Sequence, residues 1–255
     1  MELNYNTPIE THNGIDVKRD DLMNGNTDLP PWGKIGGVKE LLLNCDKKIP
    51  VACLSTRGSY SGWCLSGLGK EYGYDIKVSY PNSKVYPQED LDKIKSYGAE
   101  LNPIKPNMVQ IVHNKHKSIC KENGWQMFPY GFDNEIYHDY FQKRIEDVGD
   151  DYDNLIVVAG TGVTSIGLIK GFLTDKNKWV HLIVTSTPKT IEKILQKHNV
   201  VNENIILHTT DYDFYDEMKD FDTPFPCNKY WDKKAWWWIQ NNRLKGKSLF
   251  WNLGG

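Results

Sequence analysis

At 255 residues the chain lies between one large domain and two small ones, long enough to bury a sizeable core. Its 31 Lys and Arg nearly balance its 33 Asp and Glu, so nothing argues for a nucleic-acid or membrane surface. No run approaches the ~18 apolar residues of a membrane span, the polar N-terminus does not read as a signal peptide, and five scattered cysteines (Cys45, Cys53, Cys64, Cys120, Cys227) without a C-x-x-C pair suggest a reducing cytosol and no structural zinc.

In chain order, Ile15 and Val17 alternate with polar residues as in a short strand, and Arg19-Asp20-Asp21 reads as the solvated end of an edge strand. Asn24 to Pro31 is a loop by its breakers. Lys34 follows Gly33 at the mouth of a helix whose apolar face begins at Val38, Leu41 and Leu42. The helix dipole there opposes an ammonium charge, which favours the free amine and suits a nucleophile. Ile49 to Leu54 reads as a buried strand running into a turn rich in serine and glycine, Ser55 to Gly62, which opens the next helix. Such a strand–turn–helix can hold an anion; plain helix capping accounts for Ser61 equally well. Strands at Tyr74–Tyr80 and Glu100–Ile104 alternate with helices at Gln88–Tyr97 and Met108–Asn123, which predicts a parallel sheet with right-handed crossovers. Phe132 to Val148 is a further helix, and the acidic run Asp147 to Asp153 reads as a hinge.

The stretch Asn154 to Gly171 is the most informative. Leu155 to Ala159 is a short apolar run of the kind a strand buried on both faces produces. Gly160, Thr161, Gly162, Val163, Thr164 and Ser165 form a small hydroxyl-rich turn, and Gly167 and Gly171 interleave with apolar residues as in a helix packed close to the sheet. Backbone N–H groups at such a helix start attract an anion, and the hydroxyls add donors. A P-loop would need a lysine that Gly167-Leu168 does not supply, and a dinucleotide fingerprint would need a third glycine where Ser165 stands. What remains is a seat for one terminal phosphate, where a bulky residue in place of Gly162 is expected to hinder the anion. Trp179–Val184 and Asn204–Leu207 read as strands around a helix at Thr190–His198; His181, His198 and His208 lack ligand spacing. Trp236-Trp237-Trp238 suggests an apolar surface or interface.

These motifs, in this order, resemble pyridoxal-phosphate enzymes of the tryptophan-synthase-β type (fold type II). G-T-G-V-T at 160–164 is similar to that family's G-T-G-G-T phosphate cup. T-P-I-E at 7–10 and K-R-D-D-L at 18–22 resemble the opening of the 1-aminocyclopropane-1-carboxylate deaminase and D-cysteine desulfhydrase branch. The resemblance spans Asn6 to Gly255. It implies an α/β fold with two open parallel sheets: a cofactor domain from residues 1–44 and 149–255, and a small substrate-side domain at 45–148. It implies that pyridoxal 5'-phosphate is carried on Lys34, with Lys39 as runner-up, and held by Gly160, Thr161, Gly162, Val163 and Thr164. Ser55, Gly58, Ser59, Ser61 and Gly62 would take the substrate carboxylate, and Tyr230 the place of the active-site tyrosine. Three positions depart from the family pattern: Gly36 stands for an arginine, Gly62 for an asparagine, and Trp231 for the residue facing the pyridine nitrogen, which Asp232 would then serve. The implied activity is deamination or β-elimination on a small amino acid by a cytoplasmic homodimer. A degenerate binding protein and a β-replacing synthase are the alternatives.

Overall fold

The computed structural model describes residues 2–212 and 216–254, so Gly255 of the terminal turn lies outside the described residues. In chain order the elements are β1 (Ile9–His12), β2 (Ile15–Arg19), α1 (Ile35–Leu43), β3 (Val51–Leu54), α2 (Ser61–Tyr72), β4 (Ile76–Pro81), α3 (Gln88–Ser96), β5 (Glu100–Ile104), α4 (Val109–Asn123), β6 (Gln126–Met127), α5 (Glu135–Glu146), β7 (Asn154–Ala159), α6 (Val163–Phe172), β8 (Trp179–Val184), α7 (Pro188–Lys197), β9 (Ile205–Thr209), α8 (Asp232–Asn241) and β10 (Ser248–Asn252). No helix among the described residues is long and apolar enough to cross a membrane.

The chain forms two compact units. One comprises residues 26–30 and 38–134, the other residues 2–25, 31–37 and 135 onward. The first holds a sheet in the order β5-β4-β3-β6, parallel throughout. The second holds a sheet in the order β1-β2-β10-β7-β8-β9, parallel except for the β1–β2 hairpin. The expected alternation of strands and helices is thus present in both.

Three expectations need correction. The units divide between Asn134 and Glu135, not at 148. Helix α5 stays with the larger unit because α6 presses glycines against it: a Cβ on Gly171 would sit 2.5 Å from Ile145 Cγ2, and one on Gly167 would collide with the His138 carbonyl. Those glycines serve a helix–helix contact, not a helix–sheet one. Second, β2 is flanked by β1 and β10, so Arg19, Asp20 and Asp21 are interior rather than solvated. Third, Trp236 and Trp238 lie in a buried cluster with Phe225, Ile156, Ile183 and Phe250, with Trp237 packed on it, so the tryptophan run builds core.

Candidate active site

Lys34 stands in the turn just before α1, and the ends of two strands, β10 and β2, hold that turn. Gly33 N–H donates to the Leu253 carbonyl at 2.7 Å, and Trp32 pairs with Gly254 across an isolated bridge. A side chain at Gly33 would strike Asp20 Cβ at 2.7 Å, so only glycine lets the turn lie this close to β2's end. The Lys34 ammonium sits 5.5 Å from the Trp32 ring centre, a cation–π distance. The turn after β10 also holds Asp232, the first residue of α8: Leu253 N–H donates to its Oδ1 at 3.0 Å. Asp232 is buried, and the Lys34 charge draws its proton away.

Burial pushes Lys34 down to about 8, the Asp232 charge resisting the shift. Burial pushes Asp232 up to about 7, against the Leu253 hydrogen bond and the Lys34 charge. The free amine that Lys34 was expected to owe to the helix dipole therefore comes first from desolvation. Reductive methylation of Lys34, followed by peptide mass spectrometry, should accelerate with rising pH and level off above about 8. The sign follows from the amine: below its pKa each unit of pH costs about tenfold in reactive form. A rate still climbing tenfold per unit above pH 9 would contradict the depressed value.

The residues expected to seat a phosphate, Gly160 to Thr164, follow β7. Strands β7 and β10 are parallel neighbours with Phe250 opposite Ile156. The turn after Ala159 and the turn after Asn252 therefore leave the same edge of the sheet, where ligands of open α/β sheets bind. Gly162 has φ +78° and caps α6; Val163 N–H meets Thr161 Oγ1 at 3.5 Å. The first-turn N–H groups of a helix lack intrahelical partners. Ser165 and Thr185 are buried, and their hydroxyls and that of Ser186 have no partner among the described residues; Thr185 N–H bonds the Ala159 carbonyl at 3.1 Å. Buried polar groups without partners are costly, and a phosphate at this turn would supply acceptors. The residues present fit a phosphomonoester. Gly162 has a packing reason as well: its Cβ would meet Ile194 Cγ2 at 2.7 Å, so glycine also serves the left-handed turn and the packing of α7.

The space at Gly36, where the resemblance led to an arginine being expected, is occupied by Tyr140 of α5, its hydroxyl lying where a Gly36 side chain would begin and donating to Met23 Sδ at 3.3 Å. Tyr230 is buried and donates to Glu217 Oε1 at 2.5 Å. Asp20 is fully buried and accepts from Thr7 Oγ1 at 2.5 Å, from Trp251 Nε1 at 2.9 Å and from Arg144. Its neighbour Asp21 receives a bidentate pair from Arg19, at 2.9 and 2.8 Å, and the Asn252 amide at 2.9 Å.

In the smaller unit, Ser55, Ser59, Ser61 and Gly62 converge. Ser59 Oγ donates to Ser61 Oγ at 2.9 Å, Ser55 Oγ accepts from Gly62 N–H at 3.3 Å and from Tyr86 at 2.8 Å, and Gly58 turns the chain with φ +75°. Ser61 is the first residue of α2 rather than its cap, and its hydroxyl reaches the Leu54 carbonyl at 3.4 Å. An asparagine at position 62 has no room: its Cβ would fall 2.9 Å from Ser55 Oγ and from Ile94 Cδ1. Lys39 instead lies over the Tyr72 ring, 5.5 Å from its centre.

Sequence reasoning missed Tyr86, Tyr137, Tyr140, Thr185 and Glu217. Only Thr185, at the end of a strand parallel to the cup's own, carried a readable signal.

No protein-family model matches the chain. A glycyl-dTMP PLP-dependent decarboxylase of Pseudomonas phage M6 is 26% identical across 98% of this chain and 98% of its own. Among solved structures, an ACC deaminase homologue superposes with a TM-score of 0.77 at 16% identity, covering 100% of this chain and 90% of that one. A hydrogen sulfide-producing enzyme of Fusobacterium nucleatum gives 0.70 at 17% identity, over 98% and 95%. A pyridoxal 5'-phosphate-dependent aspartate racemase gives 0.68 at 16%, over 99% and 90%. These likenesses establish the fold.

Proposed function

We propose that this chain, whose fold is that of the fold type II pyridoxal-phosphate enzymes, binds pyridoxal 5'-phosphate and uses it to break a bond at the α-carbon of an amino acid or aminoacyl group. One observation carries this: a desolvated lysine coupled to a buried carboxylate emerges at the same sheet edge as the glycine turn after β7, where the Ser165, Thr185 and Ser186 hydroxyls have no partner among the described residues. Bound there, the cofactor supplies an electron sink. Lys34 would be the attachment point and the group that moves a proton at the α-carbon. Gly160, Thr161, Gly162, Val163 and Thr164 hold the phosphate. Asp232 serves the ring nitrogen, its Oδ1 already fixed by Leu253 N–H. Ser55, Gly58, Ser59, Ser61 and Gly62 orient the substrate carboxylate. Tyr230 faces the substrate, its proton turned toward Glu217.

The bond we favour is the one to the carboxyl group, with a glycyl nucleotide as substrate. The support is the end-to-end match to a decarboxylase of glycyl-dTMP, a substrate whose glycyl group has no β-carbon to eliminate from. Lys34 then delivers the proton that replaces the departing carboxylate. The balanced surface charge does not oppose this, since one nucleotide monophosphate is not a polyanion. Deamination or β-elimination of a small amino acid is the second reading, supported by the motif order and by the likeness to an ACC deaminase homologue.

Incubation of the cofactor-loaded protein with glycyl-dTMP, 1-aminocyclopropane-1-carboxylate and D-cysteine separates them. Carbon dioxide release from glycyl-dTMP without ammonia or keto acid supports decarboxylation. Ammonia with a keto acid from either amino acid supports the second reading. No turnover of any of the three leaves a binding protein.

A further inference from the structure

Helix α5 touches both halves of the site. The Tyr137 hydroxyl lies 3.0 Å from Thr164 Oγ1, and both residues are buried. The Tyr137 ring packs so tightly on α1 that a Cβ at Gly37 would fall 2.8 Å from its Cδ2. Three residues on, and so one turn along the same face, Tyr140 occupies the corresponding space at Gly36.

We infer that Tyr137 is a positioning residue of the phosphate cup: its phenol donates to Thr164 and thereby aims the Thr164 proton at the cofactor phosphate. The inference rests on the reading that Thr164 belongs to that cup. A threonine hydroxyl has one proton and two lone pairs. Once Thr164 gives its proton to a phosphate oxygen, it can only accept from Tyr137, so the phenol must be the donor. A donor chain ending on an anion is polarised along its length, and its hydrogen bonds are stronger than neutral ones. Without the phenol the Thr164 hydroxyl is free to rotate. The same tyrosine ring braces the start of α1, so one side chain ties the cup to the helix that Lys34 precedes.

The test compares wild type, Tyr137→Phe, Thr164→Val and the double variant, each as apoprotein titrated with pyridoxal 5'-phosphate and with unphosphorylated pyridoxal. Phenylalanine keeps the ring against Gly37, so the apoprotein should melt as wild type does. Tyr137→Phe should weaken the phosphorylated cofactor by about 3- to 10-fold, the range of one hydrogen bond, and leave pyridoxal binding unchanged. The double variant should bind no more weakly than Thr164→Val alone, because Tyr137 acts through Thr164. Thr164→Ser, which keeps the hydroxyl, should retain the wild-type preference for the phosphorylated form. Additive losses, equal losses for both ligands, or no loss in Tyr137→Phe would each overturn the inference. No loss in Thr164→Val would show instead that the cup has been misplaced, and the inference would fall with it.

Discussion

Lys34→Ala is expected to lower turnover by about 10²- to 10⁴-fold, the usual worth of a positioned proton-transfer group, while leaving a folded protein. The packing around position 34 comes from Trp32 and Ile35, which are buried and stay in place, and Gly33 keeps its 2.7 Å bond to Leu253. Removing the ammonium also removes the charge that holds Asp232 down, so that carboxyl shifts further toward its neutral form. The variant should still take up pyridoxal 5'-phosphate through the Gly160–Thr164 turn, but more weakly and without the visible absorption band of covalent attachment. Activity within a few-fold of wild type would contradict the role given to Lys34, and a lost melting transition would show that the residue is structural.

The largest stability effect is expected at Asp20. Its two carboxylate oxygens take protons from Thr7, Trp251 and Arg144, with no exposure to water that could replace it. Asp20→Ala strands the Arg144 guanidinium and the Trp251 indole N–H inside the protein. Breaking one side of a buried, hydrogen-bonded ion pair costs about 3–5 kcal/mol, which should appear as a clear fall in the urea midpoint at unchanged slope. A destabilisation below about 1 kcal/mol would mean that the network is solvated after all.

The order of strands and helices was legible because each buried strand is a short apolar run and each helix carries its own period; β5 and β8 begin and end where the pattern places them. The Lys34 junction and the glycine turns were legible for the same local reason. What could not be read was set by distant partners. K-R-D-D looks like a solvated end until β10 supplies Trp251 and Asn252 to receive it. Gly36 and Gly62 look like losses of function until Tyr140 and Ser55 are seen in the space a side chain would need. Gly167 and Gly171 point at α5, which no local pattern reveals. The burial that depresses Lys34, and the Asp232 charge that opposes it, were equally hidden: Asp232 lies nearly two hundred residues away in sequence and is brought near by one turn after β10.

The most direct measurement is of where pyridoxal 5'-phosphate attaches. The protein, incubated with pyridoxal 5'-phosphate, reduced with borohydride and digested, should yield one pyridoxyl-labelled peptide, the one containing Lys34, with the visible band lost on reduction. A label on Lys39 or any other lysine, or no label on a protein shown to be folded, would contradict it.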